Sequence, residues 1–134
     1  ECYDLDIKFQ DPVFGLLRGT DVCTMWKMLL DKSNGIVKIE FSSINADEYR
    51  GHAKWVATYP FNRTKRTVMN NVRSEFQFKN GLIYRQFDNF DIWKWSKQAF
   101  GITGYLFGWT GYFQRKIEEK ALATLNKYKD SKMQ

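Results

Sequence analysis

Apolar residues recur at helical spacing just after Gly19, where Val22, Met25, Trp26, Leu29 and Leu30 fall at i, i+3, i+4, i+7 and i+8. With Thr20 as N-cap, this predicts an amphipathic helix of about three turns. "SNG" at 33–35 ends it. From Ile36 the period changes to two and β-branched and aromatic residues become frequent, which places the first long strand through Phe41 and Ile44. After a turn over 45–51, Ala53, Trp55, Ala57, Tyr59 and Phe61 alternate with Lys54, Val56, Thr58 and Pro60. Pro60 has no N–H to give a ladder, so that end of the second strand belongs at an edge or a bulge. A third strand follows "NRTKR", with Val68, Asn70, Val72, Ser74, Phe76 and Phe78 on one face and Thr67, Met69, Asn71, Arg73, Glu75 and Gln77 on the other.

"KNG" at 79–81 turns this strand into "LIYRQFDNFD". Loop length decides which side chains meet, because a slip of one residue moves every side chain to the other face. A two-residue Asn80-Gly81 loop pairs Lys79 with Leu82 and puts Gln86 and Asp88 on the face of Arg73 and Glu75. A three-residue loop pairs Phe78 with Leu82 and sets Asp88 beside Val72 and Gln86 beside Ser74. The second is preferred, since it keeps Leu82, Tyr84 and Phe90 with the apolar face. It leaves Asn70, Ser74, Gln86 and Asp88 as polar residues on an interior face.

Residues 91–100 return to helical character. A last helix over 112–129 carries Phe113, Ile117, Ala121, Leu122, Leu125 and Tyr128 on one side. The expected class is α+β: a helix, an antiparallel meander, then helices covering one end.

A chain of 134 residues with 43% hydrophobic and 17% aromatic residues is one domain with an aromatic-rich interior or a ring-lined cavity. The net charge of +6 comes from basic residues spread along the chain and interleaved with acids, which is no nucleic-acid footprint. Cys2 and Cys23 have no His or Cys nearby, so free thiols are expected and no metal. "ECYDLD" shows neither a basic nor an apolar leader region, and the uncharged run at 98–114 is short and broken by four glycines. These features favour a cytoplasmic protein without membrane partners.

In order and spacing, "DPVFG" with "LRG" and a helix, "WVATY" ahead of "RTVMNNVRSEFQFKNG", "QFDNFDIWKW" and a late "GYLFGWT" give a chain that resembles the nuclear-transport-factor-2-like superfamily. Within it the likeness is to the SnoaL-like bacterial proteins related to ketosteroid isomerase. The resemblance covers about residues 1–128 and implies a single SnoaL-like domain over 1–134. It implies a cystatin-like cone: a strongly curved antiparallel sheet wrapped around helices, enclosing an apolar cavity for a small molecule, and dimerising through the outer sheet face. Met69, Asn71, Arg73 and Phe87 would lie on that face. A typical member carries one more long N-terminal helix, which "ECYDLD" would directly follow. Without it, part of the cone is expected to stand open.

By the same resemblance, Asp11 matches the general base of ketosteroid isomerases and Ser74 the position of their protonated oxyanion-hole Asp. Asp88 lies where the polyketide cyclases carry an acid/base carboxylate. The tyrosine of the oxyanion hole belongs to the missing helix, so steroid isomerisation itself is not expected. The residues alone leave Asp11 open between two roles. A pre-proline Asp forms turns by accepting backbone N–H bonds; a carboxylate between Phe9 and Phe14 is desolvated into a base. Asp88, on an inward face, needs a partner or a purpose.

Trp26, Trp55, Tyr59 and Phe90 read as core or pocket wall, Asn70, Ser74 and Gln86 as ligand contacts or mutual hydrogen-bond partners, and His52 as solvated. "GITGYLFGWTG" reads as a lid over the cone mouth in preference to a membrane-touching or partner-binding loop. The function these features favour is a cavity protein for a small apolar or aromatic ligand, without a cofactor, in which Asp11 or Asp88 serves an isomerase, cyclase or dehydratase reaction. The alternative is a non-catalytic dimeric binding or scaffold module in which both carboxylates are structural.

Overall fold

The computed structural model describes residues 3–33, 36–61 and 63–132. Two strands the pattern reading omitted come first: β1 (Tyr3–Asp11) and β2 (Gly15–Arg18), joined by the "DPVFG" turn. Then follow α1 (Thr20–Lys32), β3 (Lys38–Ala46), β4 (Arg50–Pro60), β5 (Thr67–Lys79), β6 (Leu82–Asn89), α2 (Ile92–Phe100), α3 (Ile102–Phe107) and α4 (Gly111–Lys132). The strands form one curved α+β-type sheet in the order β2-β1-β6-β5-β4-β3. Every neighbouring pair is antiparallel except β1 and β6, which run parallel. β3 pairs no further than Thr58, so beyond it Pro60 has a ladder neighbour on β5 alone.

Helix α1 starts one residue earlier than expected: Gly19 is the N-cap and Thr20 the first helical residue, with no side-chain capping bond. Its buried face is Val22, Met25 and Met28, while Leu29 and Leu30 are exposed. The apolar stripe was misplaced at its C-terminal end: it took in Leu29 and Leu30 and left out Met28, which is the residue that continues the buried face three positions after Met25. Asp91 caps α2, accepting from the backbone N–H groups of Trp93 and Lys94 at 3.0 and 3.1 Å.

The β5–β6 hairpin corrects the expected register and keeps its consequence. Lys79 pairs with Leu82 across a two-residue loop in which Asn80 and Gly81 have φ of 53° and 77°, the left-handed pair that such a tight hairpin requires. This loop alone would turn Gln86 and Asp88 outward. The register shifts between Gln77 and Phe78, where Tyr84 is the extra residue on β6. That bulge restores the parity, so Ser74 faces Asp88 and Phe76 faces Gln86. The cost falls on the hairpin tip. Ile83 takes the place opposite Phe78, Leu82 sits opposite Lys79, and the Tyr84 hydroxyl donates to Gln77 Oε1.

The core lies between the inner sheet face and the helices. Ile7, Phe9 and Val68 from the sheet meet Val22, Met25 and Met28 of α1, Trp95 and Ala99 of α2, and Ile117 and Leu125 of α4. Helix α4 covers the helical side and is tied to α1 by Lys129 Nζ to Asp21 at 2.9 Å and by the Tyr128 hydroxyl donating to Asp31. The open side is β3, whose inward residues Ile39, Phe41 and Ile44 remain exposed.

The expected lid is instead the short helix α3, which packs on α2 and leaves Ile102, Tyr105, Leu106, Phe107 and Trp109 exposed. Gly104 makes this packing possible, since a Cβ there would collide with the backbone oxygen of Ser96. Gly104→Ala is therefore expected to lower stability by about 1–3 kcal/mol through overpacking. Proteolysis at 101–110 should accelerate with it; an unchanged cleavage rate would contradict this account. Cys23 is a free, exposed thiol, and Cys2 lies outside the described residues. His52 is exposed, as expected. Among the described residues no helix is long and apolar enough to cross a membrane.

Candidate functional site

The alternation of β4, β5 and β6 carries Trp55, Ser74, Gln86 and Asp88 onto one inner face, and hydrogen bonds join them. Asp88 Oδ1 accepts from Ser74 Oγ at 2.6 Å and from Gln86 Nε2 at 2.9 Å. Trp55 Nε1 donates to Ser74 Oγ at 2.8 Å. On the other flank Tyr3 donates to Gln86 Oε1 at 2.5 Å and itself accepts from Trp26 Nε1 at 3.1 Å. Six side chains from four strands and α1 thus form a continuous chain of bonds centred on one carboxylate. Among the described residues, Asp88 Oδ2 accepts none. Asp88 is only 3% exposed, and burial pushes its pKa up against the lowering effect of the Ser74 and Gln86 bonds.

Asp11 ends β1 and answers the ambiguity of "DPVFG" in both ways at once. Its Oδ1 accepts the backbone N–H groups of Val13 at 2.9 Å and Phe14 at 2.6 Å, so it does form the turn. Both bonds favour the ionised form. Burial outweighs them, and the charges of Asp88 and Glu118 add to it, so the Asp11 pKa is pushed up to about 7. The two roles are compatible because desolvation acts on the whole carboxyl group while the turn uses one oxygen. Tyr59 is close enough to feel the Asp11 charge. Its hydroxyl accepts from Trp95 Nε1 at 2.9 Å, and burial raises its pKa, so it stays a protonated donor at neutral pH.

The structure therefore brings together Trp26, Trp55, Ser74, Gln86 and Asp88, with Asp11 and Tyr59 in the same electrostatic environment. Asn70 shares the inner face opposite Ala57 but stands outside the chain of bonds, and Phe90 packs against the core. Two participants were missed. Tyr3 was legible, since Tyr3, Leu5, Ile7 and Phe9 alternate with polar residues as a strand does. Glu118 carried no signal, because only the packing of α4 brings its carboxylate to the β1–β2 turn. The inward Ile39, Phe41 and Trp55 add an apolar wall, with the Phe41 and Trp55 rings 6.4 Å apart. Among the described residues no three His, Cys, Asp or Glu side chains gather as a metal site. The arrangement can hold one proton between acid and base near neutrality, beside a phenol donor and apolar surface.

No family model and no curated protein matches the chain. Solved structures do. A nuclear-transport-factor-2-like protein of unknown function from Cytophaga hutchinsonii superposes with a TM-score of 0.57 at 14% identity, over 67% of this chain and 80% of that one. A protein with a ketosteroid-isomerase-like fold from Catenulispora acidiphila gives 0.62 at 13% identity, over 73% and 76%. A protein described as a SnoaL-like polyketide cyclase from Jannaschia sp. CCS1 gives 0.61 at 8% identity, over 73% of each chain. At such low identity the likeness is one of fold, and over about two thirds to three quarters of the chain that fold is the nuclear-transport-factor-2-like one.

Proposed function

We propose that this chain binds a small, largely apolar or aromatic molecule at the inner sheet face and moves a proton on it, with Asp11 as the acid/base group and Asp88 beside it. Neighbours of this fold carry names of catalytic type, a SnoaL-like polyketide cyclase and an isomerase among them, which supports a binding or catalytic use of the inner face. The observation that carries the reading is the half-buried Asp11 carboxyl, which accepts two backbone N–H bonds and whose pKa is pushed up to about 7 by desolvation, in a site that also holds a second carboxyl and a phenol. In its ionised fraction Asp11 takes a proton from carbon next to a carbonyl. Tyr59 O–H, or Asp88 when protonated, stabilises the charge that develops on the carbonyl oxygen. Protonated Asp11 returns the proton elsewhere on the same skeleton, which is an isomerisation or, with loss of water, a dehydration.

The Asx-turn bonds of Asp11 Oδ1 favour a second reading, a binding module in which the carboxylates are structural. The compound 2-tetralone, an aromatic ketone with acidic C–H bonds, separates the two. On adding it, the indole N–H signal of Trp55 and the side-chain amide of Gln86 should move in NMR spectra, and in D2O the protein should speed exchange of its α-hydrogens. Movement without exchange would leave the binding module. Neither effect, with 2-tetralone and a panel of similar small carbonyls, would remove both.

A further inference from the structure

The outer face of the same sheet carries a row of cations that its register places side by side. Arg18 lies opposite Lys8 across β2–β1, Lys8 is in register with Arg85 across β1–β6, Arg85 faces Gln77, and Gln77 faces Arg50. Neighbouring strands are about 4.8 Å apart, so Arg18, Lys8 and Arg85 fall within roughly 10 Å and Arg50 about 10 Å further on. Like charges directly opposite one another weaken a sheet. Among the described residues none of these four side chains forms a salt bridge; Arg50 feels the Asp47 carboxylate at the β3–β4 turn and Arg85 lies 5.8 Å from the centre of the Tyr84 ring, while no acidic group is paired with Arg18 or Lys8.

The next row, two residues along each strand and so about 6.6 Å away, runs Leu16, Gln10, Phe87, Glu75 and His52. Leu16 and Phe87 are 49% and 46% exposed. The two rows, with Gly51, Phe76 and Gln86 between them, line a groove of about 590 Å³, and the strand alternation puts the side chains of both rows on the opposite sheet face from Asp11 and Asp88. Its one carboxylate, Glu75, lies on the β5 side, away from Arg18 and Lys8.

We infer that this groove is a second binding site, which takes a phosphate ester with an apolar ring or short chain. The dianionic head would sit on Arg18, Lys8 and Arg85 and the apolar part on Leu16 and Phe87. The guanidinium forks of Arg18 and Arg85 match phosphate oxygens two at a time, and Lys8 between them adds a point charge. A second copy of the chain fits less well, since it brings the same row of cations and a net charge of +6. The homodimer expected through Met69, Asn71, Arg73 and Phe87 would compete for Phe87.

The test uses 1-naphthyl phosphate, with inorganic phosphate and 1-naphthol as probes of charge alone and ring alone, measured by calorimetry on the whole chain. The ester should bind at least tenfold more tightly than either fragment and weaken steeply between 50 and 500 mM salt. Arg85→Gln and Arg18→Gln, both exposed and so expected to fold, should each cost at least tenfold. Arg85→Lys should restore part of that loss. Asp11→Asn should bind the ester like the wild-type chain, which keeps this site independent of the inner one. Equal affinity for ester and naphthol, or no loss in Arg85→Gln, would overturn the proposal. So would a dimer by light scattering that Phe87→Glu splits and the ester does not.

Discussion

Asp11→Asn is expected to be more stable than the wild-type chain at pH 8 and nearly equal to it at pH 4. In the wild type the folded-state pKa of Asp11 is about 7 against 3.8 for the free side chain. The folded state therefore binds a proton that the unfolded state has released throughout the interval between those values. Stability falls as pH rises from about 4 to about 7, and above that the folded chain carries a half-buried, partly desolvated carboxylate. Three pKa units correspond to about 4 kcal/mol. Glu118 and the mouth of the turn retain some solvent, so about 2–4 kcal/mol is the expected difference. Asn keeps an oxygen for the Val13 and Phe14 N–H groups, so the turn survives.

Urea unfolding of both proteins at pH 4, 6 and 8 reads this directly. Asp88 shifts in the same direction and is present in both chains, so apart from its smaller coupling to the Asp11 charge it cancels in the comparison. Parallel pH profiles would mean that Asp11 is an ordinary turn carboxylate. The same variant should lose the 2-tetralone exchange reaction by about 10²-fold or more, the scale of a lost general base.

Phe9→Ala is expected to destabilise the fold by about 3–5 kcal/mol. Phe9 is fully buried, and its ring meets that of Trp26 edge-on with centroids 5.8 Å apart. It also lies on the strand that ends at Asp11, and Trp26 donates into the bond chain through Tyr3. The cavity left by the ring would therefore loosen both halves of the site. Loss of the Asp11 titration near pH 7, together with the drop in unfolding midpoint, is the combined signature; a loss below about 1 kcal/mol would show that the site collapses to fill the space.

What the sequence by itself determined was parity. Alternation along β4 and β5 assigned Trp55, Ser74 and their neighbours to the inner face, because side chains in a strand leave the backbone on opposite sides with a period of exactly two. The same logic applied to Tyr3–Asp11 would have found β1, the strand that supplies Tyr3 and Asp11. Helix α4 was legible for the same kind of reason, from Ile117, Ala121, Leu122 and Leu125 on one stripe, and α2 from the return of helical character over 91–100; its Asp91 cap was not read. The tertiary structure decided what depends on residues far apart in the chain. A bulge at Tyr84 turned a two-residue hairpin back to the expected parity, and no local pattern distinguishes that from a three-residue loop. Helix α4 closed the helical side of the cone and brought Glu118 to Asp11. The alignment of Arg18, Lys8, Arg85 and Arg50 exists only through four strand pairings, one of them parallel. Asp11 itself shows the division: its turn bonds are written in "DPVFG", whereas its proton affinity is set by how much water the rest of the fold removes from around it.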